Sequence, residues 1–181
     1  MFPLGHFGLT VALGEMLSRG PSRPVKLDYR ILLLGSMFAD LVDKPVGILF
    51  GIEGRNVAHS LLFSVSLTVF LLLPLLAPQL YPRGIAQRLS NPLPLLSLGL
   101  WTHLLLDRIW EQPYVVLWPF LGAAFHPAEF NFLLVLTAVL NPYVLGGEIA
   151  GLAILLFMAH KYRLYRWSNL LRAIKTGVLR Y

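Results

Sequence analysis

His103 and Asp107 stand four residues apart in Trp101-Thr102-His103-Leu104-Leu105-Leu106-Asp107, inside an apolar run from Leu93 to Trp110. In a helix that spacing places an imidazole and a carboxylate on one face, a turn apart. At membrane depth such a pair is expensive to keep unless something binds it, and a divalent metal ion is one such thing. Asp40 and Asp43, three apart, pose the same problem with two carboxylates, which repel each other unless a cation lies between them. The competing reading of that pair is a helix end before Lys44-Pro45, with Lys44 as its partner. His59 opens another apolar run, flanked by Asn56 and Ser60, which are ordinary N-capping residues, and His6 follows Gly5 near the start of the chain. His59 or His6 alone says little; beside the His103/Asp107 pair His59 becomes a candidate ligand.

The chain has no cysteine, so thiolate sites and disulfides are excluded. A metal held by His and carboxylates is Zn, Mn, Fe or Mg rather than Cu(I) or an iron–sulfur cluster. His126 and Glu129 are ligands, substrate contacts or plain loop residues on this evidence. His160 belongs with the basic tail, and Glu15 is placed to pair with Arg19 at i,i+4.

The elements that must hold these residues are apolar. Of 181 residues, 56% are hydrophobic and 13% charged, about half the charge of a soluble domain, and the mean hydropathy is +0.67. The expected fold is an all-α integral membrane protein with about four transmembrane helices. A short N-terminal helix over 7–17 precedes them, and an amphipathic interfacial helix ends the chain. Residues 1–160 form one helical membrane domain and 161–181 a basic tail. The apolar segments run over 31–50, 57–80, 93–110 and 132–159. The first is expected to break at Asp40-Asp43-Lys44-Pro45, the last at Asn141-Pro142 and Gly146-Gly147-Glu148. Between the last two segments, 111–131 reads as an aromatic, Pro-rich loop or inserted hairpin. Trp101, Trp110, Tyr114, Trp118 and Phe120 read as an interfacial belt or as the wall of a lipid-facing pocket. The N-terminus has no basic region or cleavage site of a signal peptide.

Twelve of the fifteen Lys and Arg fall in the 19–30 loop, the 81–92 loop and the tail; the others are Lys44, Arg55 and Arg108. Strict alternation of the spans puts those twelve on one side, which the positive-inside rule makes cytoplasmic. The net charge of +6 is thereby explained by topology, and no specific nucleic-acid partner is expected. With this orientation every candidate ligand falls in the outer half of the bilayer or at its outer surface. In the tail, Leu164, Trp167, Leu171, Ile174 and Val178 recur at helical spacing beside a basic face, the pattern of a helix lying on a membrane.

The ordered set is Gly5-His6, then Gly35-Ser36-Met37-Phe38-Ala39-Asp40-Leu41-Val42-Asp43-Lys44-Pro45, then Gly54-Arg55-Asn56-Val57-Ala58-His59-Ser60, then Trp101 to Asp107, and Leu117-Trp118-Pro119-Phe120. It resembles the membrane-bound metal-dependent hydrolases of the YdjM type (DUF457), a family that looks distantly similar to zinc-dependent phospholipase C and P1-type nucleases. Two departures stand out: the second carboxylate of the Asp motif is displaced by one residue, and the His-Arg-Gly-x-Thr-His element is reduced to Gly54-Arg55-Asn56-Val57-Ala58-His59, so one possible ligand is absent. The resemblance implies a prokaryotic inner-membrane hydrolase of phosphoester or phospholipid substrates. Its metal ligands would be His6, Asp40, His59, His103 and Asp107, with Asp43 joining them. Asp43 or Asp40 would be the general base or a bridging ligand, and Arg55, Arg108 or Lys44 would hold a phosphate. The rival functions are a small ion or metal transporter, disfavoured by the absence of an internal repeat, and a non-catalytic membrane scaffold whose tail binds anionic lipid or a partner.

Overall fold

The computed structural model describes residues 2–19, 27–82, 84–89, 92–128 and 132–179. Among these the chain is helical: α1 (Pro3–Ser18), α2 (Tyr29–Phe50), α3 (Leu61–Leu76), α4 (Ile85–Leu89), α5 (Pro92–Leu106), α6 (Pro113–Val116), α7 (Phe132–Leu140), α8 (Pro142–Lys161) and α9 (Trp167–Thr176). A single antiparallel bridge joins Ile52 to Pro127.

Much of the interior is polar and much of the surface is apolar. The largest fully buried side chains include His6, His59, His103, Asn56, Thr10 and Asp43, while Ile48, Leu49 and Phe50 are 83%, 78% and 74% exposed. Isolated exposed leucines are common in any protein, but contiguous apolar surface around a polar interior is suited to lipid rather than water. By length and composition, one described helix is long and apolar enough to cross a membrane, Pro142–Lys161. Helix α2 has the length, at 22 residues, but carries Asp40, Asp43 and Lys44. Helices α3 and α5, of 16 and 15 residues, reach only about 24 and 22 Å, short of a hydrocarbon core of about 30 Å.

The expected break in α2 does not occur: the helix runs from Tyr29 through Pro45 to Phe50 and stops at Gly51, which is in the left-handed conformation that glycine adopts freely. Lys44 bridges back to Asp40 across one turn at 2.6 Å, so the charges that suggested a break are satisfied within the helix. In the last segment Asn141-Pro142 does separate two helices, Asn141 capping α8 through its side chain, whereas Gly146-Gly147-Glu148 lies inside α8. The tail helix is shorter than its apolar spacing suggested, because Arg163 takes a positive φ and α9 begins only at Trp167.

Two close helix pairs set the frame. A Cβ on Gly8 would sit 2.2 Å from the Gly151 carbonyl oxygen, and one on Gly35 would sit 2.2 Å from that of Leu96. Helices α1 and α8, and α2 and α5, therefore approach backbone to backbone, as small residues permit in membranes. Near the opposite end from the histidines, Val11, Leu27, Tyr29, Leu32, Met158 and Tyr162 form an apolar core. Beside it Glu15 pairs with Arg19 at 2.7 Å, as its spacing suggested, and also accepts from Lys161, Tyr162 and Tyr29.

The tail is clipped to the start of α2. Asp28 caps that helix through the Arg30 amide, and Arg30 donates to the Ile174 and Lys175 carbonyls at the C-terminal end of α9. The Tyr29 amide donates to the Gly177 carbonyl at 2.8 Å. The Arg30 guanidinium bonded to Asp28 holds that carboxyl below its ordinary range.

Candidate metal centre

Helix α2 delivers Asp40 and Asp43 to one buried face, and the chain after Gly51 turns back over them. The amides of Asn56, Ala58 and His59 donate to the Asp43 carboxylate at 2.7, 3.0 and 3.2 Å. Those of Asn56 and Ala58 lie at the mouth of the short 3₁₀ turn over 57–59, where no helical bond would satisfy them, while the His59 amide also donates to the Asn56 carbonyl at 3.2 Å. A fourth donor, His59 Nδ1, lies 2.7 Å from Asp43 Oδ2. Both Asp43 oxygens are thus engaged, and Asp43 reaches the centre through His59. Ser60 caps α3 by accepting from the Phe63 amide, which fixes His59 at the junction of turn and helix.

On α5, His103 Nδ1 lies 2.7 Å from the Ser36 carbonyl oxygen of α2. A carbonyl only accepts, so this nitrogen carries the proton and Nε2 holds the lone pair. The Asp43 carboxylate assigns the same tautomer to His59. The two Nε2 atoms then face each other 3.2 Å apart. Two imidazole lone pairs at that distance repel, and a cation between them removes the repulsion.

Carboxylate oxygens surround the pair. Asp40 Oδ1 lies 3.7 Å from His59 Nε2 and 3.8 Å from His103 Nε2. Asp107 Oδ2 lies 4.0 and 3.8 Å from the same two atoms. Ligand atoms held tetrahedrally about 2.0–2.1 Å from a zinc ion are about 3.3 Å apart, so Asp40 Oδ1, His59 Nε2 and His103 Nε2 stand within about half an ångström of three corners of such a shell. Two imidazoles and two carboxylates, with no sulfur, fit a divalent ion of intermediate hardness. Each histidine's second nitrogen is already hydrogen-bonded to a carbonyl or carboxylate, the usual arrangement behind metal-bound histidine.

His6 completes the cluster from α1. Its Nε2 lies 3.1 Å from Asp107 Oδ1, and its ring stacks on that of His103 with centroids 4.2 Å apart. Its Nδ1 is buried without a hydrogen-bond partner. Two overlapping groups could therefore hold a metal, Asp40/His59/His103 and His6/His103/Asp107. Since His103 offers a single lone pair, it serves one ion in either arrangement.

The cluster opens on one side into a cleft of about 420 Å³ whose lining includes Asp40, Asp107, Lys44, Arg55, Glu53 and Phe2. Arg55 donates to Asp107 Oδ2 at 2.7 Å, and Lys44 to Asp40 Oδ2. Arg108 is placed elsewhere. It adopts a left-handed φ of 52°, pairs with Glu111 and lies over the Tyr143 ring. His126 is exposed; its carbonyl accepts from the Glu53 amide and its ring meets Tyr114 edge-on. Glu129 lies outside the described residues, as do Arg23, Lys26, Arg83 and Arg180 of the topology count. Trp110, Tyr114 and Phe120 are exposed as belt residues should be. Trp101 instead turns its indole N–H to Thr68 at 2.9 Å.

Sequence reading missed three contributors: the Ser36 carbonyl that fixes the His103 tautomer, the Asn56 amide on Asp43, and Glu148, whose carboxylate receives the first amides of α1. The first two are backbone groups and leave no side-chain signal. Glu148 left one, as a lone acid in an apolar segment.

No curated protein matches this chain, and no solved structure does, so the likeness to zinc-dependent phospholipase C and P1 nuclease gains no support from either comparison. Among protein families, the profile described as YdjM inner membrane protein matches residues 1–173. A polar His/Asp interior, a lipid-suited exterior and a match over nearly the whole length agree: the chain belongs to the YdjM inner membrane protein family.

Proposed function

We propose that this protein is a membrane-embedded, metal-dependent hydrolase of phosphoester or phospholipid substrates. The observation that supports it most is the facing pair of imidazole lone pairs, ringed by Asp40 and Asp107, whose carboxylates form the floor of a cleft lined by Lys44 and Arg55. His59, His103, Asp40 and Asp107 would hold the ion, with His6 against Asp107. A bound divalent ion supplies Lewis acidity and lowers the pKa of a water. The chain's own groups do the rest. Arg55 and Lys44 exchange their carboxylate partners for the oxygens of a phosphoryl group, to which a guanidinium and an ammonium are both suited. Asp40, at the cleft floor, accepts the proton of the attacking water. Asp43, locked by four donors, holds the His59 ring in place. Phe2, Ala138 and Val144 give the cleft an apolar side, matching a substrate with a lipid portion.

The same reading places four spans across the inner membrane, with α3 and α5 short because both end at the buried site. The tail is cytoplasmic, where Arg163, Arg166, Arg172 and Lys175 meet anionic lipid head groups. The test is metal analysis together with phospholipid turnover in detergent, for the wild type and His103→Ala. Bound metal and metal-dependent turnover, both lost in the variant, support the proposal. Metal-dependent ion flux in liposomes without turnover would favour the transporter instead. Metal content unchanged by His103→Ala would sink the site itself.

A further inference from the structure

Glu148 is the one acid within α8, the one described helix long and apolar enough to cross a membrane. A carboxylate there is costly unless it is bound. Its Oε2 accepts from the Leu4 amide at 3.1 Å and its Oε1 from the Gly5 amide at 3.0 Å. These are the N2 and N3 amides of α1, whose own N-cap residue, Phe2, offers no side-chain cap. A carboxylate at a helix N-terminus also meets the positive end of the helix dipole. One turn along α8, Gly151 abuts the same segment: a Cβ there would lie 2.2 Å from the Leu4 carbonyl oxygen. The residue after Gly5 is His6, fully buried against Asp107 and His103.

We infer that Glu148 is a positioning residue for the metal centre, capping α1 from a neighbouring helix so that His6 is held against Asp107 and His103. It touches neither metal ligands nor cleft; it acts through the first turn of α1. This rests on the metal-centre reading above. Loss of such a supporting contact lowers metal affinity by about 10–100-fold.

The experiment titrates the full-length protein in detergent with Co²⁺, following the ligand-field absorption, for wild type, Glu148→Gln, Glu148→Ala and the double variant Phe2→Asp/Glu148→Ala. Thermal unfolding of each metal-free protein is measured alongside. An Asp at residue 2 reaches the same two amides from its own helix. The expected order is wild type tightest, Gln intermediate, Ala weakest by at least about tenfold, with the double variant recovering most of the loss and the Ala spectrum shifted. Glu148→Ala affinity and spectrum equal to wild type would overturn the inference, as would a double variant that recovers stability but not affinity. If Glu148→Ala fails to fold, the Gln variant decides: unchanged affinity overturns, weakened affinity supports. A wild type that binds no Co²⁺ defeats the metal-centre reading, and this inference with it.

Discussion

Replacing Asp43 by Asn separates a ligand from a residue that supports one. The two side chains have nearly the same shape, so the change is chemical. Asp43 Oδ2 receives three donors (Asn56 N, His59 N and His59 Nδ1) and Oδ1 receives one, Ala58 N. The Asn side chain therefore places its oxygen at the Oδ2 position and its NH₂ against the Ala58 amide. One buried donor loses its acceptor, at a cost of about 1–3 kcal/mol. The three remaining bonds lose their charge assistance and roughly half their strength. The His59 Nδ1–H now faces a neutral amide, which makes Nε2 a poorer donor and lowers metal affinity by about 10–100-fold, or about 1.4–2.7 kcal/mol. The assay is competitive Zn²⁺ titration of the detergent-solubilised protein, with thermal unfolding as a second readout. Asp40→Asn, which alters a carboxylate oriented toward both Nε2 atoms, is the comparison and should lose more affinity at less cost to apo stability. Equal metal affinity for Asp43→Asn and wild type would refute the reasoning. So would an affinity loss as large as that of Asp40→Asn with unfolding unchanged, which would make Asp43 a direct ligand.

Gly35→Val forces a side chain into the α2/α5 contact, where a Cβ would lie 2.2 Å from the Leu96 carbonyl oxygen; destabilisation of at least about 1–3 kcal/mol is expected, read as a lower unfolding temperature in detergent. Arg55→Ala and Lys44→Ala should retain metal but weaken turnover of an anionic substrate, separating cleft from ligands by elemental analysis beside an activity assay. The tail clip is pH-dependent with a definite sign. Because Arg30 depresses the Asp28 carboxyl, the clip is fully present above the ordinary carboxylate pKa of about 3.9 and is lost only as pH falls through the lower folded value. A spin label on Ile174→Cys, unique in a chain without cysteine, should be immobile at neutral pH and become mobile only below that range. Asp28→Asn should mobilise it at neutral pH.

The His103/Asp107 pair was readable because both partners sit on one helix turn and only one register serves both. His59 and His6 were readable as members of a set but not in their geometry, since three different helices bring them together. The division of labour between Asp40 and Asp43 was hidden for another reason. It depends on residues 52–59 turning back to present three amides, and the local sequence shows only a polar turn. The expected break at Pro45 failed because the Lys44–Asp40 pair and the apolar flanks keep α2 intact, and freed backbone groups at a proline are tolerated in such helices. Glu148 read as a breaker beside two glycines because its partners are amides 143 and 144 positions away.

X-ray absorption at the metal edge of the purified, metal-loaded protein tests the central claim most directly. The account predicts a first shell of nitrogen and oxygen with the outer-shell scattering of two imidazoles, and no bound metal in His103→Ala. Protein that takes up no divalent metal, or a shell without imidazole, would contradict it.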